Sequence, residues 1–250
     1  MGFKMSAEIS TEITESTELS VASLDDVRSW GWTPLRLAQE LNDFRARSIS
    51  ELAGVSQRPA EQWSNIFFKY PDTWRILTTG PEKIVGYWQI IPLTQTAKEM
   101  NLRGQSTVRV PVEDIFYPIN QPGWYDVLIY SISIDPQFRN LFSGMLLANS
   151  MIRAFTDLAR RGIMFRQVIA GIVSRYGRLM NVGLGFDLKY VVDHEVVGQI
   201  YAGDLPSMLR RPIAKESSDV TFRTLCELYA AHEEPSGESE VRSQDENAAR

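Results

Sequence analysis

Residues 132–144 have the types and order that could do chemistry. They read Ile-Ser-Ile-Asp-Pro-Gln-Phe-Arg-Asn-Leu-Phe-Ser-Gly, which is the end of an apolar strand, a short polar turn and the start of a long amphipathic helix. A helix that begins there presents unpaired backbone N–H groups and the positive end of its dipole, and together these bind anions such as phosphate. An ordinary strand–helix connection has the same pattern, so this run alone leaves both interpretations open.

A second informative run, residues 174–186, reads Ser-Arg-Tyr-Gly-Arg-Leu-Met-Asn-Val-Gly-Leu-Gly-Phe. It predicts a short helix that closes on Leu-Gly-Phe and is followed by a strand. In this order and spacing the two runs resemble the acetyl-CoA-binding core of the GNAT-type N-acetyltransferases, a resemblance that covers roughly residues 60–197. It implies an α/β (α+β) fold, with a mixed and largely antiparallel sheet flanked by helices and a parallel strand–helix–strand core.

The resemblance also implies a binding site for acyl-CoA. In that family the strand before the long helix offers backbone groups to the pantetheine arm and the thioester carbonyl, and the following turn wraps the pyrophosphate. On this sequence the strand residues are Ile132, Ser133 and Ile134, and the turn runs from Arg139 to Gly144. The other residues that the resemblance assigns to this site are Asn140, Leu141, Phe142, Ser143, Met145 and Ser174.

Three positions depart from the family pattern. Phe142 stands where the first glycine of the turn is expected, and glycine would let the backbone approach the phosphates with a positive φ where needed. Asn181 stands where many members carry a tyrosine that protonates the departing thiolate, and Ser174 replaces a common asparagine. Tyr176, five residues before Asn181 on the same short helix, is the substitute that the sequence offers for the catalytic acid.

Acetyl transfer to an amine needs a base, a group that stabilises the oxyanion and a leaving group that takes up a proton. The backbone amides of residues 132–134 could meet the second need. For the base we consider Glu113, Asp114 and Asp126. We prefer Asp126 because it precedes Ile132 by six residues and so lies on the same face of a regular strand. A helix-capping or ion-pairing carboxylate is an equally good interpretation of Asp126.

Hydrophobic spacing and capping residues give the order of the predicted elements. Two helices precede a hairpin, and a strand–helix–strand unit comes later. Between them lies a long stretch over residues 92–123, in which residues 94–100 could form a helical turn and the rest is predicted to be irregular. We expect strands 125–134 and 168–173 to be parallel neighbours joined by helix 143–161, because parallel strands need such a crossover. The other predicted elements are helices over 33–47, 59–70 and 222–231 and strands over 74–79, 83–91 and 190–197.

The 250-residue chain has a formal net charge of −5, and acidic side chains are concentrated at its two ends. We expect residues 1–26 and 233–250 to be disordered acidic tails, and residues 27–232 to form a single GNAT-like, acyl-CoA-binding domain. The central part holds 23 basic and 19 acidic residues, a mild excess that suits an anionic cofactor better than a nucleic acid. No apolar run approaches the length of a membrane span.

The single cysteine, Cys226, excludes a disulfide within this chain and is typical of a reducing cytoplasm, where we expect the protein. With only His194 and His232 as histidines, we expect no metal site. The leading hypothesis is a transferase that moves an acetyl or other acyl group from acyl-CoA, its co-substrate, to an amine of a small molecule or a protein. Formation of a homodimer is left open.

Two alternative functions remain open. Residues 86–94 resemble a strand and turn of acyl-homoserine-lactone synthases, although Gln89 replaces an arginine of that family. The second alternative is a non-catalytic GNAT-like module that binds a ligand or a protein partner, which Phe142 and Asn181 favour. Binding of acetyl-CoA without turnover would separate such a module from an enzyme.

Overall fold

The structure is a computed structural model that describes residues 18–49, 57–81, 83–192, 198–210 and 219–232, and these residues form a seven-stranded sheet with helices on both faces. None of the helices in these ranges combines the length and apolar character needed to cross a membrane. The strands are β1 Ser20–Ala22, β2 Trp74–Thr78, β3 Ile84–Pro92, β4 Gly123–Ile134, β5 Ile163–Ile172, β6 Asp187–Val192 and β7 Gly198–Asp204. The helices are α1 Leu24–Ser29, α2 Pro34–Ser48, α3 Ala60–Lys69, α4 Gln95–Leu102, α5 Val112–Ile115, α6 Leu141–Arg160, α7 Arg175–Gly183, α8 Leu205–Leu209 and α9 Val220–Ala231.

The sheet is mixed and largely antiparallel, as the predicted fold class requires. Its strands are hydrogen-bonded in the order β1-β2-β3-β4-β5-β7-β6. The pair β4–β5 is parallel, and every other neighbouring pair is antiparallel. Helix α6 connects β4 to β5, so the predicted parallel neighbours and their crossover helix are confirmed.

Helix α6 has a well-defined start and end. The side chain of Asn140 accepts a hydrogen bond from the backbone N–H of Ser143 at 2.9 Å, and the Ser143 hydroxyl accepts one from the backbone N–H of Asn140 at 3.2 Å. This reciprocal capping satisfies two donors at the helix start. After Arg160 the chain turns at Gly162 with a φ of 76°, a conformation that favours glycine.

Side chains of β3 show which helices cover each face of the sheet. The indole N–H of Trp88 donates to the hydroxyl of Ser150 on α6 at 2.8 Å. The neighbouring ring of Tyr87 meets Phe44 of α2 edge-on, with centroids 5.8 Å apart. Because successive strand residues point to opposite faces, α6 and α2 lie on opposite faces of the sheet. Helix α9 packs on α6, and α3 packs on α2.

The ordered chain begins earlier than predicted. Strand β1 pairs with β2, and the predicted boundary between residues 26 and 27 falls inside α1, so that boundary is too late. A strand of three residues is too short to show an alternating pattern, which is why the sequence did not reveal it. The helical turn that the sequence allowed over residues 94–100 is α4, and the Thr94 hydroxyl caps it by accepting from the Ala97 N–H at 3.3 Å. The short helix α5, in the part of this stretch predicted to be irregular, was not predicted.

The last part of the sheet also differs from the prediction. The strand expected over residues 190–197 begins at Asp187 and ends at Val192, and β7 was not predicted. Residues 193–197, with His194, lie outside the described residues. Strand β7 contains Gly203, where a Cβ would lie 2.2 Å from a ring carbon of Phe186. The Phe186 ring therefore requires a glycine at this position. Because glycine is unusual inside strands, it weakens the sequence pattern that would have indicated β7.

The bond between Trp88 and Ser150 gives a stability prediction. Ser150→Ala leaves a buried indole N–H without its acceptor, so the free energy of unfolding should fall by about 1–3 kcal/mol. Urea denaturation measures it. The control is Ser64→Ala on α3, where the hydroxyl bonds at the surface to the Glu61 carbonyl, and the expected change is within about 0.5 kcal/mol. Equal losses in both variants would contradict the packing of α6 on Trp88.

Candidate active site

Strands β4 and β5 separate before either of them ends. Their parallel pairing stops at Ile129 and Ala170. Beyond that point β4 continues beside β3 as far as Ile134, and β5 continues beside β7 as far as Ile172. We call the space between the two separated strand ends the wedge. Its sides are strand edges whose backbone groups are not paired with each other, and such edges can bind an extended ligand as they would a strand.

At the end of β4, every second residue points its backbone N–H and C=O groups toward the wedge. The N–H of Asp135 donates to the carbonyl of Val85 at 2.8 Å and therefore points toward β3. Backbone groups of successive residues in an antiparallel pair point to opposite sides, so those of Ile132 and Ile134 point toward the wedge. The Ile132 side chain lies opposite Trp88, on the α6 face, and is 44% exposed. The expected cofactor strand thus has the required open edge.

The start of α6 adjoins the end of β4 and is exposed. Leu141 and Phe142 are 80% and 60% exposed, and Met145 is exposed as well, whereas Ser143 is buried beneath the first turn. The Phe142 side chain thus points largely to solvent and does not fill the turn. A Cβ at Gly144 would meet no atom within 4 Å, so there is open space beside the first helical turn.

Arg139, which the resemblance places at the pyrophosphate, is engaged by the protein itself. Its Nε donates to the carbonyl of Ile134 and its Nη2 to the carbonyl of Ser48, each at 2.8 Å. Ser48 is the last residue of α2, and its hydroxyl lies 2.7 Å from that of Ser133. The guanidinium therefore joins the end of β4 to the C-terminus of α2, where a cation is favourable. A contact between Arg139 and a ligand stays a prediction.

The short helix α7 has structural contacts at two expected positions. The Ser174 hydroxyl accepts from the backbone N–H of Gly177 at 3.1 Å and so caps the helix start. Asn181 is buried, and its amide nitrogen donates to the Gly177 carbonyl at 2.8 Å. The Tyr176 side chain lies outside what the structure describes, so its role as an acid stays a prediction.

On the α2 face a cavity of about 240 Å³ opens where the two strands separate. Its described lining comes from Arg45 on α2, residues 104–108 after α4, residues 128–130 of β4, residues 171–173 at the end of β5 and residues 198–200 of β7. This half of the site lies outside the two sequence runs that predicted a cofactor site. The signal that could have indicated it is the long stretch over residues 92–123, because such stretches between elements are often functional.

Tyr130 is the aromatic residue at the point of separation. The register between β3 and β4 slips there, so that Tyr130 is an extra residue in β4, a β-bulge. Its hydroxyl accepts a hydrogen bond from Nη1 of Arg45 at 3.2 Å, and the Arg45 guanidinium lies 4.6 Å from its ring centroid. On the other side the ring packs on Trp63 of α3, with centroids 5.1 Å apart. These contacts fix Tyr130 on the α2 face.

Arg58 holds the loop after α4 over this cavity. It is buried, and its terminal nitrogens donate to the carbonyls of Thr107 and Val110 and, at 2.8 Å, to the side chain of Gln62. Several carbonyl acceptors can satisfy a guanidinium that has been removed from water. The loop that lines the cavity is therefore anchored from below by a charged residue that bonds to its backbone.

Asp126, the predicted base, is 7% exposed and has two cationic partners. Its Oδ2 lies 2.8 Å from Nζ of Lys98 and 3.0 Å from Nη2 of Arg166, and its Oδ1 accepts from the Gln167 N–H at 3.3 Å. Burial alone would raise the pKa of Asp126, but the hydrogen bonds from Arg166 and Lys98 outweigh it and hold the pKa below the ordinary value of 3.8. Asp126 is not among the described residues that line the cavity. These surroundings favour a structural ion pair.

Asp126→Asn should lower the free energy of unfolding by about 3 kcal/mol at neutral pH, because it leaves two partly buried cations without their counter-charge. Since the pKa of Asp126 is lower in the folded state than in the unfolded state, the stabilisation is complete above about pH 4 and is lost as the pH falls below it. Urea titrations across this range should show the difference from wild type shrinking.

The matched control for Asp126→Asn is Asp43→Asn, which neutralises an exposed carboxylate on α2 and should leave stability unchanged. A difference between Asp126→Asn and wild type that stays constant from neutral pH to about pH 3 would contradict the ion-pair assignment.

Comparison with protein-family models and with curated proteins gives no match. Among solved structures, the loading GNATL domain of CurA from Lyngbya majuscula matches with a TM-score of 0.51 at 14% identity, over 78% of this chain and 100% of that one. The GphF GNAT-like decarboxylase in complex with isobutyryl-CoA gives a TM-score of 0.45 at 16% identity, over 75% and 99%. The Drosophila melanogaster polyamine N-acetyltransferase gives 0.44 at 15% identity, over 75% and 100%.

Of these three structures, the CurA domain has a TM-score above 0.5, and at its level of identity the similarity concerns the fold. It agrees with the fold that the two sequence runs predicted. It also agrees with a mostly antiparallel sheet in which one parallel pair is joined by a long helix. The chain therefore has the GNAT fold.

Proposed function

We propose that this protein is an acyl-CoA-dependent transferase that moves an acetyl or other acyl group to an amine. The wedge supports the proposal most directly, because it brings together the open edge of β4, the start of α6 and a cavity on the opposite face of the sheet. Fold similarity alone would not support a reaction, since one fold serves many functions.

The residues at the wedge fit an acyl-CoA. Its pantetheine arm would lie along Ile132 and Ile134 in place of a strand and bond to the backbone groups of Ile132 and to the N–H of Ile134, whose carbonyl accepts from Arg139. Its pyrophosphate would meet the N-terminus of α6, where Gly144 leaves open space and the helix dipole favours an anion. The exposed apolar side chains of Leu141 and Phe142 would be covered by the ligand, which adds a hydrophobic contribution.

In the reaction the amine nitrogen would attack the thioester carbonyl, so that a C–N bond forms and the C–S bond breaks. Backbone N–H groups at the wedge would stabilise the negative charge on the carbonyl oxygen. CoA would leave as a thiolate, and an ordinary thiol has a pKa of about 8.5, so departure near neutral pH needs little help from an acid. The replacement of the usual tyrosine by Asn181 therefore does not prevent turnover.

Asp126 remains the predicted base, and rates test it separately from stability. A base role predicts that Asp126→Asn lowers kcat about 10²–10⁴-fold. It also predicts that Lys98→Met raises the pKa of Asp126, because a cation is removed, and moves the acidic limb of the rate profile to higher pH. Steady-state measurements of CoA release give both quantities. Full activity in folded Asp126→Asn would show that Asp126 is not the base.

A non-catalytic acyl-CoA-binding module is the second candidate. Its support is that two expected proton-transfer positions are engaged elsewhere: Asp126 pairs with Lys98 and Arg166, and Asn181 bonds within α7. Gln89, which replaces an arginine of acyl-homoserine-lactone synthases, is buried in β3 and adds no support for that alternative. Calorimetric titration with acetyl-CoA and longer acyl-CoAs, followed by assays of CoA release with an amine panel, separates an enzyme from a binding module.

Gly144→Glu tests where the phosphates bind. The new carboxylate would face them at the start of α6, and like charges at close range should weaken acetyl-CoA binding at least about 100-fold. Open space at Gly144 and the favourable position of an acid in the first helical turn should keep the variant folded. Calorimetry gives the affinity, and circular dichroism checks the fold.

The matched control is Ala148→Glu, which adds the same charge one turn further along the exposed side of α6. Its affinity for acetyl-CoA should stay close to that of the wild type. Unchanged affinity in Gly144→Glu, or an equal loss in both variants, would show that the phosphates bind elsewhere.

A further inference from the structure

We infer that the acceptor amine of this reaction also carries a carboxylate, and that Arg45 and Tyr130 bind that carboxylate in the cavity on the α2 face. The inference rests on the proposed function, because it names the acceptor class for that reaction. It adds a recognition site on the side of the sheet opposite the start of α6.

The two faces of the sheet separate the two substrates. Ile132 and the start of α6 lie on the face where Trp88 bonds to Ser150, and they belong to the acyl-CoA side. Arg45 and Tyr130 lie on the opposite face, over the point where β4 and β5 separate. An acceptor bound in the cavity would therefore approach the thioester through the wedge from the side away from the phosphates.

The pair Arg45–Tyr130 has donors that are not used within the described protein. The Tyr130 oxygen accepts a bond from Arg45, so its own O–H points elsewhere, and none of the described residues accepts a hydrogen bond from that O–H. The Nε of Arg45 is buried and has no hydrogen-bond partner among the same residues. A buried donor without a partner is unfavourable, and a bound carboxylate would supply the acceptor.

The charge of the cavity selects an anion. In the described lining Arg45 is the charged side chain, and no aspartate or glutamate accompanies it. The nearby carboxylate of Asp126 is already paired with Lys98 and Arg166. Among the described lining residues, a purely cationic acceptor such as a diamine would meet a guanidinium and no carboxylate, whereas a carboxylate can take two parallel bonds from the guanidinium edge.

The cavity is prepared for this ligand by contacts that hold the donors in place. The Arg45 guanidinium lies against the Tyr130 ring, which is fixed in turn by Trp63, so little side-chain freedom remains to be lost on binding. On β7 the side-chain oxygen of Gln199 accepts from the Tyr201 hydroxyl at 3.1 Å, which leaves the Gln199 amide N–H groups to donate. The described lining thus has hydrogen-bond donors on two sides.

The experiment compares amino acids with their carboxamides as acceptors, with acetyl-CoA as donor and CoA release as the readout. Each pair has nearly the same shape and differs in the negative charge. The amide has the less basic amine, so intrinsic reactivity near neutral pH favours the amide. We expect kcat/KM to be about 10- to 100-fold higher for the acid of the preferred pair, the range for hydrogen bonds to a charged group.

Three variants assign this preference to the site. Arg45→Met and Tyr130→Phe should each reduce the ratio of kcat/KM for the acid to kcat/KM for the amide, by about 10- to 100-fold and about 5- to 10-fold. Arg47→Met removes an exposed arginine of the same helix and should behave as wild type. Acetyl-CoA affinity, measured by calorimetry, should be unchanged in all three and serves as the check that each variant is folded.

The results separate failure of this inference from failure of the proposed function. If acetyl-CoA does not bind to the wild type, the proposed function fails and the inference fails with it. If acetyl-CoA binds and amides or diamines are acetylated as well as the acids, the inference alone is overturned. The same holds if neither series is acetylated while other amines are. If acetyl-CoA binds and no amine is acetylated, the transferase proposal also fails and the binding module takes its place. With amide acceptors, a preference for succinyl-CoA over butyryl-CoA would indicate that the site binds a carboxylate of the acyl donor. That result would also overturn the inference.

Discussion

The separation of β4 from β5 is the feature on which the rest of this structure depends. Backbone N–H and C=O groups inside a sheet must have partners, and here the partners within the sheet end at Ile129 and Ala170. The two strands are nevertheless held in place, because β3 pairs with β4 to its end and β7 pairs with β5 to its end. The outer strands therefore stabilise an opening in the middle of the sheet, and the opening provides a polar edge for a ligand.

The two sides of this opening are mechanically joined at the end of α2. Arg139, in the turn before α6, bonds to the Ser48 carbonyl, and the Ser48 hydroxyl lies against that of Ser133 on β4. Arg45 is three residues before Ser48, so the two residues share one face of α2. The contacts that fix the turn at the start of α6 thus also fix the rotation of α2, and with it the position of the Arg45 guanidinium on the opposite face of the sheet.

The sequence predicted the part of the fold that rests on local patterns. Helix α6, with its apolar stripe, and the parallel strands on either side of it follow from the pattern of apolar residues. Strand β1 was missed because three residues show no alternation, and β7 because its two glycines, Gly198 and Gly203, weaken the pattern of a strand. Their pairing depends on contacts with β2 and β5, which are distant in the sequence.

The candidate site also has one part that the local sequence indicated and one part that depends on contacts between distant elements. Residues 132–145 are contiguous, so a family motif could indicate them, and the structure places them along one open edge and one helix start. Arg45, Arg58 and Tyr130 come together from separate elements, and the bulge that turns Tyr130 toward Arg45 leaves no trace in the residue types. For Asp126 the sequence indicated a position on a strand, but such a position gives no information about the cations that surround the side chain.

The positive cavity also bears on how an acceptor amine could react if Asp126 is not the base. An amine must lose a proton before its nitrogen can attack, and a neighbouring positive charge disfavours the protonated form and lowers the amine pKa. Arg45 lines the cavity, and Arg58 lies beneath its loop, bonded to neutral carbonyls and a neutral amide. In the proposed reaction these guanidinium groups would do two things at once. They would attract the carboxylate of the acceptor and favour the neutral form of its amine, so that a proton could pass to solvent while Asp126 keeps its structural ion pairs.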